Sequence, residues 1–213
     1  MPISYTYNTV FIHIPKCAGT SVEKILGTSS GIEYFSTIKR NINGTSKSPQ
    51  HFTYLELKSS LDIDWSLYYL FSVVRNPYAR FVSGFKYRKQ LYLSTGRQDC
   101  NPIDFSTYVT NLTTEKVQRI NKFDTHLETQ SSFLKNESNQ LEPSIEIFKF
   151  ENLEPCWTKL KEKTGVEFKN VFWSRKSKDD KPYNEFYTQE TADIIYNFYK
   201  EDFDNFGYSR QLW

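Results

Sequence analysis

Hydrophobic and polar positions along the chain predict strands and helices that alternate. The apolar run from Val10 to Ile14 has the length of a buried strand, and a second run extends from Tyr68 to Val74. Residues 145–150 alternate between apolar and polar side chains, which indicates a third strand. Each run leads into a segment with helix-forming signals. Because strands that alternate with helices form parallel sheets, the pattern predicts an α/β fold.

Capping signals predict where the first helices begin. Thr20 or Ser21 can cap a helix that continues through Leu26. The Thr-x-x-Glu spacing at 53–56 is that of a capping box, so we expect a helix over residues 54–60. This places His51 in a loop just ahead of that helix.

The second strand also leads into a helix. Asn76 is a good N-cap residue, and Pro77 suits the first helical position. Four apolar residues then share one helix face: Tyr78, Phe81, Val82 and Phe85. The segment that follows, from Lys86 to Pro102, is basic and rich in turn formers, so we predict a loop there.

Two further signals complete the outline. Turn-forming residues predict a loop from Lys39 to Pro49. Gly165 is predicted to end a helix that follows the third strand. With 213 residues, the chain is long enough for one sizeable domain, which we expect to extend over residues 1–213.

Composition narrows the classes of protein that fit. A net charge of only +2 does not favour nucleic-acid binding, and no run of about 18 apolar residues predicts a membrane span. The three cysteines are widely spaced and odd in number, which fits neither a disulfide framework nor a metal site. The sequence therefore predicts a globular protein of a reducing compartment that needs no metal.

The loop after the first strand has the composition of an anion-binding site. One lysine and five small residues follow Pro15, namely Lys16, Cys17, Ala18, Gly19, Thr20 and Ser21. A helix that starts at this loop would direct its first N–H groups and its dipole toward the Lys16 ammonium. We therefore expect the loop to bind a phosphate or sulfate group.

The order of these residues distinguishes the loop from that of ATPases. A Walker A loop has its lysine directly after the second glycine, whereas Lys16 precedes Gly19 by three residues. The segment Pro15 to Ser21 instead resembles the 5′-phosphosulfate loop of the PAPS-dependent sulfotransferases, which move a sulfuryl group from 3′-phosphoadenosine 5′-phosphosulfate (PAPS) to a hydroxyl. The resemblance implies that residues 16–21 bind PAPS and later its product PAP.

A second motif about 60 residues further on resembles the 3′-phosphate site of the same family. Arg75 follows the second strand directly, and Ser83 lies two turns into the next helix. The carboxyl edge of a parallel sheet is where ligands bind, and a guanidinium can hold a phosphate at two points. The resemblance implies that Arg75 and Ser83 bind the 3′-phosphate.

The resemblance extends over most of the chain and is strongest to the carbohydrate-type branch. It rests there on Glu151-Asn152-Leu153 and on the segment from Asp202 to Tyr208. A late basic loop, with Arg175, Lys176 and Lys178, resembles the one that closes on the nucleotide. The implied fold is a three-layer P-loop-like sulfotransferase fold, in which helices flank a central, mostly parallel sheet.

The reaction needs a base, and His51 is our choice among three histidines. His-x-Thr-x-x-Glu before the second strand resembles the place where related enzymes carry their catalytic histidine. His13, within the first strand, is expected to be a buried hydrogen-bonded group, whereas His126 resembles a residue near the acceptor. Lys86 and Arg88 would suit an anionic or sugar-rich acceptor. Three glutamates are weaker candidates for the base, namely Glu23, Glu56 and Glu128.

Several alternatives stay open. The acceptor could be a carbohydrate, a lipid, a phenol or a small metabolite, and the oligomeric state is not predicted. A P-loop-like kinase and a non-catalytic nucleotide-binding module are the rival classes. Residues 1–7 lack the features of a signal peptide, so the chain as it stands predicts a cytoplasmic microbial enzyme. A Golgi-lumen location would follow only if the chain is part of a longer, anchored protein.

Overall fold

A computed structural model describes residues 3–27, 40–42, 45–47, 49–96, 104–113, 125–165 and 181–213. The chain forms two compact units by contact density. Unit 1 comprises residues 1–74 and 130–175, and unit 2 comprises residues 75–129 and 176–213. The prediction of a single domain is not tested by this division and stays a prediction.

Unit 1 contains a four-stranded sheet. Its strands are β1 (Ile3–Ser4), β2 (Thr9–Ile12), β5 (Tyr69–Val74) and β6 (Ile145–Lys149), in the spatial order β1-β2-β5-β6. β1 pairs antiparallel with β2, and the other two pairs are parallel. In register, Val10 lies beside Leu70, which in turn lies beside Ile145. The mostly parallel sheet with flanking helices confirms the predicted α/β class.

The helices divide between the units. Unit 1 holds α1 (Gly19–Gly27), α2 (Tyr54–Ser60), α5 (Gln130–Leu134) and α6 (Glu154–Thr164). Unit 2 holds α3 (Pro77–Thr95), α4 (Phe105–Thr110), α7 (Gln189–Phe198) and α8 (Lys200–Phe206). A buried aromatic cluster, which includes Tyr78, Phe81, Phe105 and Tyr199, fills unit 2.

The predicted helix starts at α2 and α3 are confirmed in detail. Thr53 and Glu56 form a reciprocal capping box at the start of α2. Asn76 caps α3 with its side-chain oxygen, which accepts from the N–H groups of Tyr78 and Ala79. Gly165 ends α6 in the left-handed conformation, as predicted.

The first strand ends two residues earlier than predicted. β2 stops at Ile12, the last residue in register with β5, and the Ser72 hydroxyl donates to the Ile12 carbonyl at 2.7 Å. His13 therefore lies just after the strand and not within it. The apolar pattern continues to Ile14 because Ile14 is buried as well, and burial alone does not distinguish a strand from the loop that follows it.

The prediction of a loop from Lys39 to Pro49 is wrong in part. Arg40–Ile42 (β3) and Thr45–Lys47 (β4) pair antiparallel as a two-stranded sheet. The sequence between them is Asn43-Gly44, the dipeptide that most favours a two-residue hairpin connection. Composition predicted a loop here but not the two short strands.

The prediction of a loop for the basic segment after Phe85 is also wrong in part. Lys86 and Arg88 lie inside α3, which continues to Thr95 and ends where Gly96 adopts φ 69°. No glycine or proline interrupts residues 86–95, so the helix continues although its apolar face ends at Phe85. Residues 97–102 of this segment lie outside the described residues.

Candidate active site

The loop between β2 and α1 adopts an uncommon backbone conformation. Lys16 has φ 69° and Ala18 has φ 62°, both in the left-handed region that non-glycine residues rarely occupy. Each such residue costs about 1 to 2 kcal/mol. Left-handed residues within a tight turn direct backbone N–H groups toward a common concave space, which is a recurrent way to bind anions. The strain indicates that this loop shape serves a function.

Cys17 holds this loop from the buried side. Its Sγ atom lies 3.3 Å from Oε1 of Gln130, at the start of α5, and 3.6 Å from the Pro15 carbonyl oxygen. Cys17 and Gln130 are fully buried, whereas Lys16 and Ala18 are half-buried. The loop is therefore held on its inner side, and its lysine lies on the side that solvent reaches.

Helix α1 begins at Gly19, one residue before the predicted caps. The Ala18 carbonyl accepts the first helical bonds, from the N–H of Ser21 at 2.8 Å and of Val22 at 3.2 Å. Thr20 and Ser21 therefore lie within the first turn and do not cap it. The backbone itself starts the helix, because the left-handed Ala18 turns its carbonyl toward the first turn. The N–H groups of Gly19 and Thr20 precede the first residue that has a helical acceptor, so they are the donors available to an anion.

His51 lies in the same unit as this loop. It ends a short 3₁₀ turn, Pro49–His51, and its Nδ1 atom is 3.2 Å from the backbone carbonyl oxygen of His13. A carbonyl oxygen only accepts, so Nδ1 carries the hydrogen of the neutral ring. The lone pair then belongs to Nε2, the nitrogen that can take up a proton.

His13 is buried and hydrogen-bonded, as the sequence predicts. Its Nδ1 atom is 2.6 Å from Oε1 of Glu23, and both side chains are about 5% exposed. The Gln50 amide nitrogen donates to both Glu23 carboxylate oxygens, at 3.1 and 2.9 Å. The His13 ring also lies against Gly19, since a Cβ atom at residue 19 would overlap His13 Nε2.

Arg75 and Ser83 belong to unit 2. Arg75 directly follows β5, and Ser83 is a half-buried residue in the second turn of α3. The Asn76 cap fixes the start of the helix between them. Arg75 thus lies at the predicted strand-to-helix junction and Ser83 in the helix that follows it, and their role in binding phosphate stays a prediction.

The residues predicted to face the acceptor lie on or beside α3. The His126 ring packs edge-on against Tyr87, with centroids 5.4 Å apart, and its backbone carbonyl accepts from Arg80 at 3.3 Å. His126 lies in a turn and not in a surface helix. Lys86 donates to the Lys181 carbonyl at 3.2 Å, and Arg88 is half-buried.

Unit 1 therefore brings together the residue 16–21 loop and His51, whereas Arg75, Ser83 and the acceptor candidates are described in unit 2. Arg175, Lys176 and Lys178 lie outside the described residues. Sequence reasoning missed Gln50, because a lone glutamine belongs to no motif. Its position directly before His51 was the only signal that could have indicated it.

The described part of the chain contains neither a metal cluster nor a membrane span. No group of three or more His, Cys, Asp or Glu side chains there could hold a metal ion. No helix among these residues is long and apolar enough to cross a membrane.

Comparison with known proteins identifies a family. A model described as "Sulfotransferase family" matches residues 2–209, nearly the whole chain. Searches of the curated proteins and of the solved structures found no significant match.

Proposed function

The chain belongs to the sulfotransferase family and is a PAPS-dependent enzyme, and from this premise we propose that it sulfates a carbohydrate hydroxyl with His51 as the general base. The observation that carries the proposal is the contact of His51 Nδ1 with the His13 carbonyl, in the unit that also holds the residue 16–21 loop. This contact leaves Nε2 as the basic nitrogen of the neutral ring.

The loop of unit 1 would hold the phosphosulfate end of the donor. PAPS supplies a sulfuryl group that is activated by its bond to a phosphate oxygen. Lys16 and the N–H groups of Gly19 and Thr20 would stabilise the charge that grows on this oxygen as the bond breaks. The Ser21 N–H already donates to Ala18, so Ser21 would contribute its hydroxyl.

His51 would take the proton of the acceptor. A new bond forms between the acceptor oxygen and sulfur, the bond between sulfur and the phosphate oxygen breaks, and the acceptor proton moves to Nε2 of His51. The products are the sulfate ester and PAP. A well-placed base contributes about 10²- to 10⁴-fold to such a rate.

The remainder of the nucleotide would be held by positive and hydroxyl groups. Arg75 offers two parallel donors for the 3′-phosphate, and Ser83 offers a hydroxyl. Cys17 and Ala18 contribute the backbone of the loop. By the resemblance to the family, the basic residues Arg175, Lys176 and Lys178 would also bind the nucleotide.

The surface around α3 supports an extended, sugar-rich acceptor. Lys86 and Lys181 lie on the Phe186 ring, 4.9 and 4.8 Å from its centre, and His126 packs on Tyr87. Residues two apart on a helix do not face each other, so Lys86 and Arg88 would contact different parts of an acceptor. Aromatic rings beside cations suit an oligosaccharide that carries negative charge.

Calorimetry tests the nucleotide site. We expect PAP to bind without metal and more tightly than ADP, and Arg75→Ala to weaken PAP binding by about tenfold or more because a charge-assisted contact is lost. Arg210→Ala is the matched control, since Arg210 is an exposed arginine of the same unit that pairs with Asp193. Equal binding of PAP and ADP, or an unchanged affinity in Arg75→Ala, would contradict the assignment of Arg75.

Two variants of His51 test the base. In His51→Asn, the new amide can still donate to the His13 carbonyl but cannot take up a proton at neutral pH. In His51→Ala, both the hydrogen bond and the basic nitrogen are lost. The pair therefore separates the placement of the turn from proton transfer.

We expect His51→Asn and His51→Ala both to bind PAP normally and to lose at least about tenfold in turnover. Labelled PAPS with an anionic polysaccharide, a neutral oligosaccharide and a phenol provides the assay. Turnover of the phenol alone would exclude the carbohydrate acceptor, and unchanged turnover in His51→Asn would exclude His51 as the base.

A further inference from the structure

Glu23 is buried and hydrogen-bonded, which its position in the sequence does not predict. It lies on α1, is 4% exposed, and accepts hydrogen bonds from two segments that are distant in the sequence. His13 approaches from the end of β2, at 2.6 Å, and Gln50 approaches from the 3₁₀ turn, at 3.1 and 2.9 Å. A buried carboxylate is costly unless such donors satisfy it.

These contacts argue against Glu23 as the base itself. Both of its carboxylate oxygens face the Gln50 amide, and one also faces the His13 ring. A base has to reach the acceptor proton, either directly or through one water. Glu23 instead connects β2, α1 and the turn that carries His51.

We propose that Glu23 is a positioning residue that sets the place and the tautomer of His51 through Gln50 and His13. This inference rests on the proposed function, in which His51 is the base. Gln50 precedes His51 directly in the chain, so the Glu23–Gln50 bonds hold the turn at Gln50.

His13 holds the same turn at His51. Its carbonyl accepts from His51 Nδ1, and the two rings pack edge-on with centroids 4.5 Å apart. The bond between His13 Nδ1 and Glu23 fixes the rotation of the His13 ring, which is also confined by Gly19 and by stacking on Phe11. The position of His51 thus depends on one buried carboxylate.

The expected effect follows from the geometry that catalysis requires. A displacement of about 1 Å in a reacting group can cost about 10²-fold in rate. The loss of Gln50 removes only the direct link to the turn and leaves Lys16 and the first turn of α1 in place. The donor should therefore bind normally while the chemical step slows.

Kinetics on three variants test the proposal. We expect Gln50→Ala to lower kcat by about 10- to 100-fold and to leave the KM for PAPS and the affinity for PAP within about twofold. Glu23→Ala should lower kcat at least as much. Glu23→Gln should recover most of the activity, because its amide oxygen accepts from His13 and its amide nitrogen donates to Gln50 once the Gln50 amide turns over.

The matched control is Gln189→Ala. Gln189 is an exposed glutamine whose amide donates to Asp193 at 3.2 Å, so its removal should leave kcat unchanged. If Glu23→Ala does not fold, Gln50→Ala still tests the proposal, since Gln50 is only half-buried and lies in a short turn. An unchanged kcat in Gln50→Ala would overturn the proposal. So would a Glu23→Gln protein that folds and binds PAP but is as slow as Glu23→Ala, because Glu23 would then act through its charge or its proton.

A second readout separates this inference from the proposed function. The ¹⁵N shifts of the His51 ring report which nitrogen carries the hydrogen, without any need for an acceptor. We expect the Nδ1–H form in the wild-type protein and a mixture of both forms in Gln50→Ala. A mixture already present in the wild type would overturn the positioning role. A protein that shows the expected shifts but transfers no sulfuryl group would count against the proposed function alone.

Discussion

At the scale of single residues, the strained backbone positions in the loop before α1 are not at its glycine. Its two left-handed positions are Lys16 and Ala18, whereas Gly19 does not have a positive φ. Gly19 is required for a different reason, namely that the His13 ring occupies the space where a side chain would begin. The glycine therefore serves close packing, and the strain lies in its neighbours.

Two adjacent substitutions test this distinction. Gly19→Ala forces a Cβ atom into the His13 ring, so we expect a loss of about 1 to 3 kcal/mol in the free energy of unfolding and weaker PAP binding. Ala18→Gly relieves a left-handed alanine, and we expect its free energy of unfolding to stay within about 1 kcal/mol of the wild type. Denaturant titration with calorimetry of PAP measures both effects. Equal losses in the two variants would refute the packing role.

At the scale of elements, the caps of α2 and α3 were predicted correctly, whereas the start of α1 and the length of α3 were not. The Asn76 cap and Pro77 fix where α3 begins, because Asn76 bonds the first N–H groups of the helix and Pro77 has a φ that is already helical. The end of α3 depends on the absence of glycine and proline between Phe85 and Gly96. The helix therefore continues beyond Phe85, where its apolar face ends. Lys86 and Arg88, which were predicted to lie in a loop, consequently have positions fixed by the helix.

The capping box of α2 allows a prediction for one element. The Thr53 hydroxyl accepts from the Glu56 N–H at 3.2 Å, and the Glu56 carboxylate accepts from the Thr53 N–H at 2.7 Å. Thr53→Ala should therefore lower the free energy of unfolding by about 1 kcal/mol in denaturant titration. Thr53→Ser keeps the hydroxyl and should change it little. A loss in Thr53→Ser as large as that in Thr53→Ala would mean that the methyl group, and not the cap, is responsible.

At the scale of the whole molecule, buried tyrosines connect stability to pH. Three phenols of unit 2 donate to backbone carbonyls at 2.9 Å, namely Tyr78 to Arg210, Tyr187 to Tyr78, and Tyr199 to Leu127. Burial raises the pKa of Tyr78 to about 12 and raises the pKa values of Tyr187 and Tyr199 further above their usual range. An ionised phenol cannot donate these bonds, so the fold favours the protonated form.

The sign of the pH dependence follows from these raised pKa values. Unfolded tyrosines lose their protons near pH 10, whereas the folded protein keeps them, so the contribution of these tyrosines to stability should be constant below about pH 10 and fall above it. Each such tyrosine contributes a slope of up to about 1.4 kcal/mol per pH unit. Thermal unfolding from pH 7 to 11, with tyrosine absorbance in parallel, measures this loss.

Tyr187→Phe provides the control for that titration. Above about pH 10, it should reduce the slope of the free energy of unfolding against pH by the contribution of one tyrosine. At pH 7 it should lower the free energy of unfolding by about 1 to 2 kcal/mol, because the Tyr78 carbonyl loses a buried partner. A wild-type protein whose tyrosines ionise near pH 10 while it stays folded would contradict the role of burial.

The sequence by itself determined what depends on near neighbours in the chain. The strand-to-helix junctions at Lys16 and Arg75, the caps at Thr53 and Asn76, and the family were all evident from local motifs. Such signals act within one turn of helix or along one strand, so a linear pattern records them.

Only the tertiary structure decided which buried side chains contact each other around the residue 16–21 loop. Glu23 binds His13 ten residues away and Gln50 27 residues away, and Cys17 binds Gln130 across 113 residues. No periodicity or motif relates these positions, because their contacts exist only once β2, α1 and α5 have packed together. The physical reason is that a buried polar group must find its partner in space, wherever the chain supplies one.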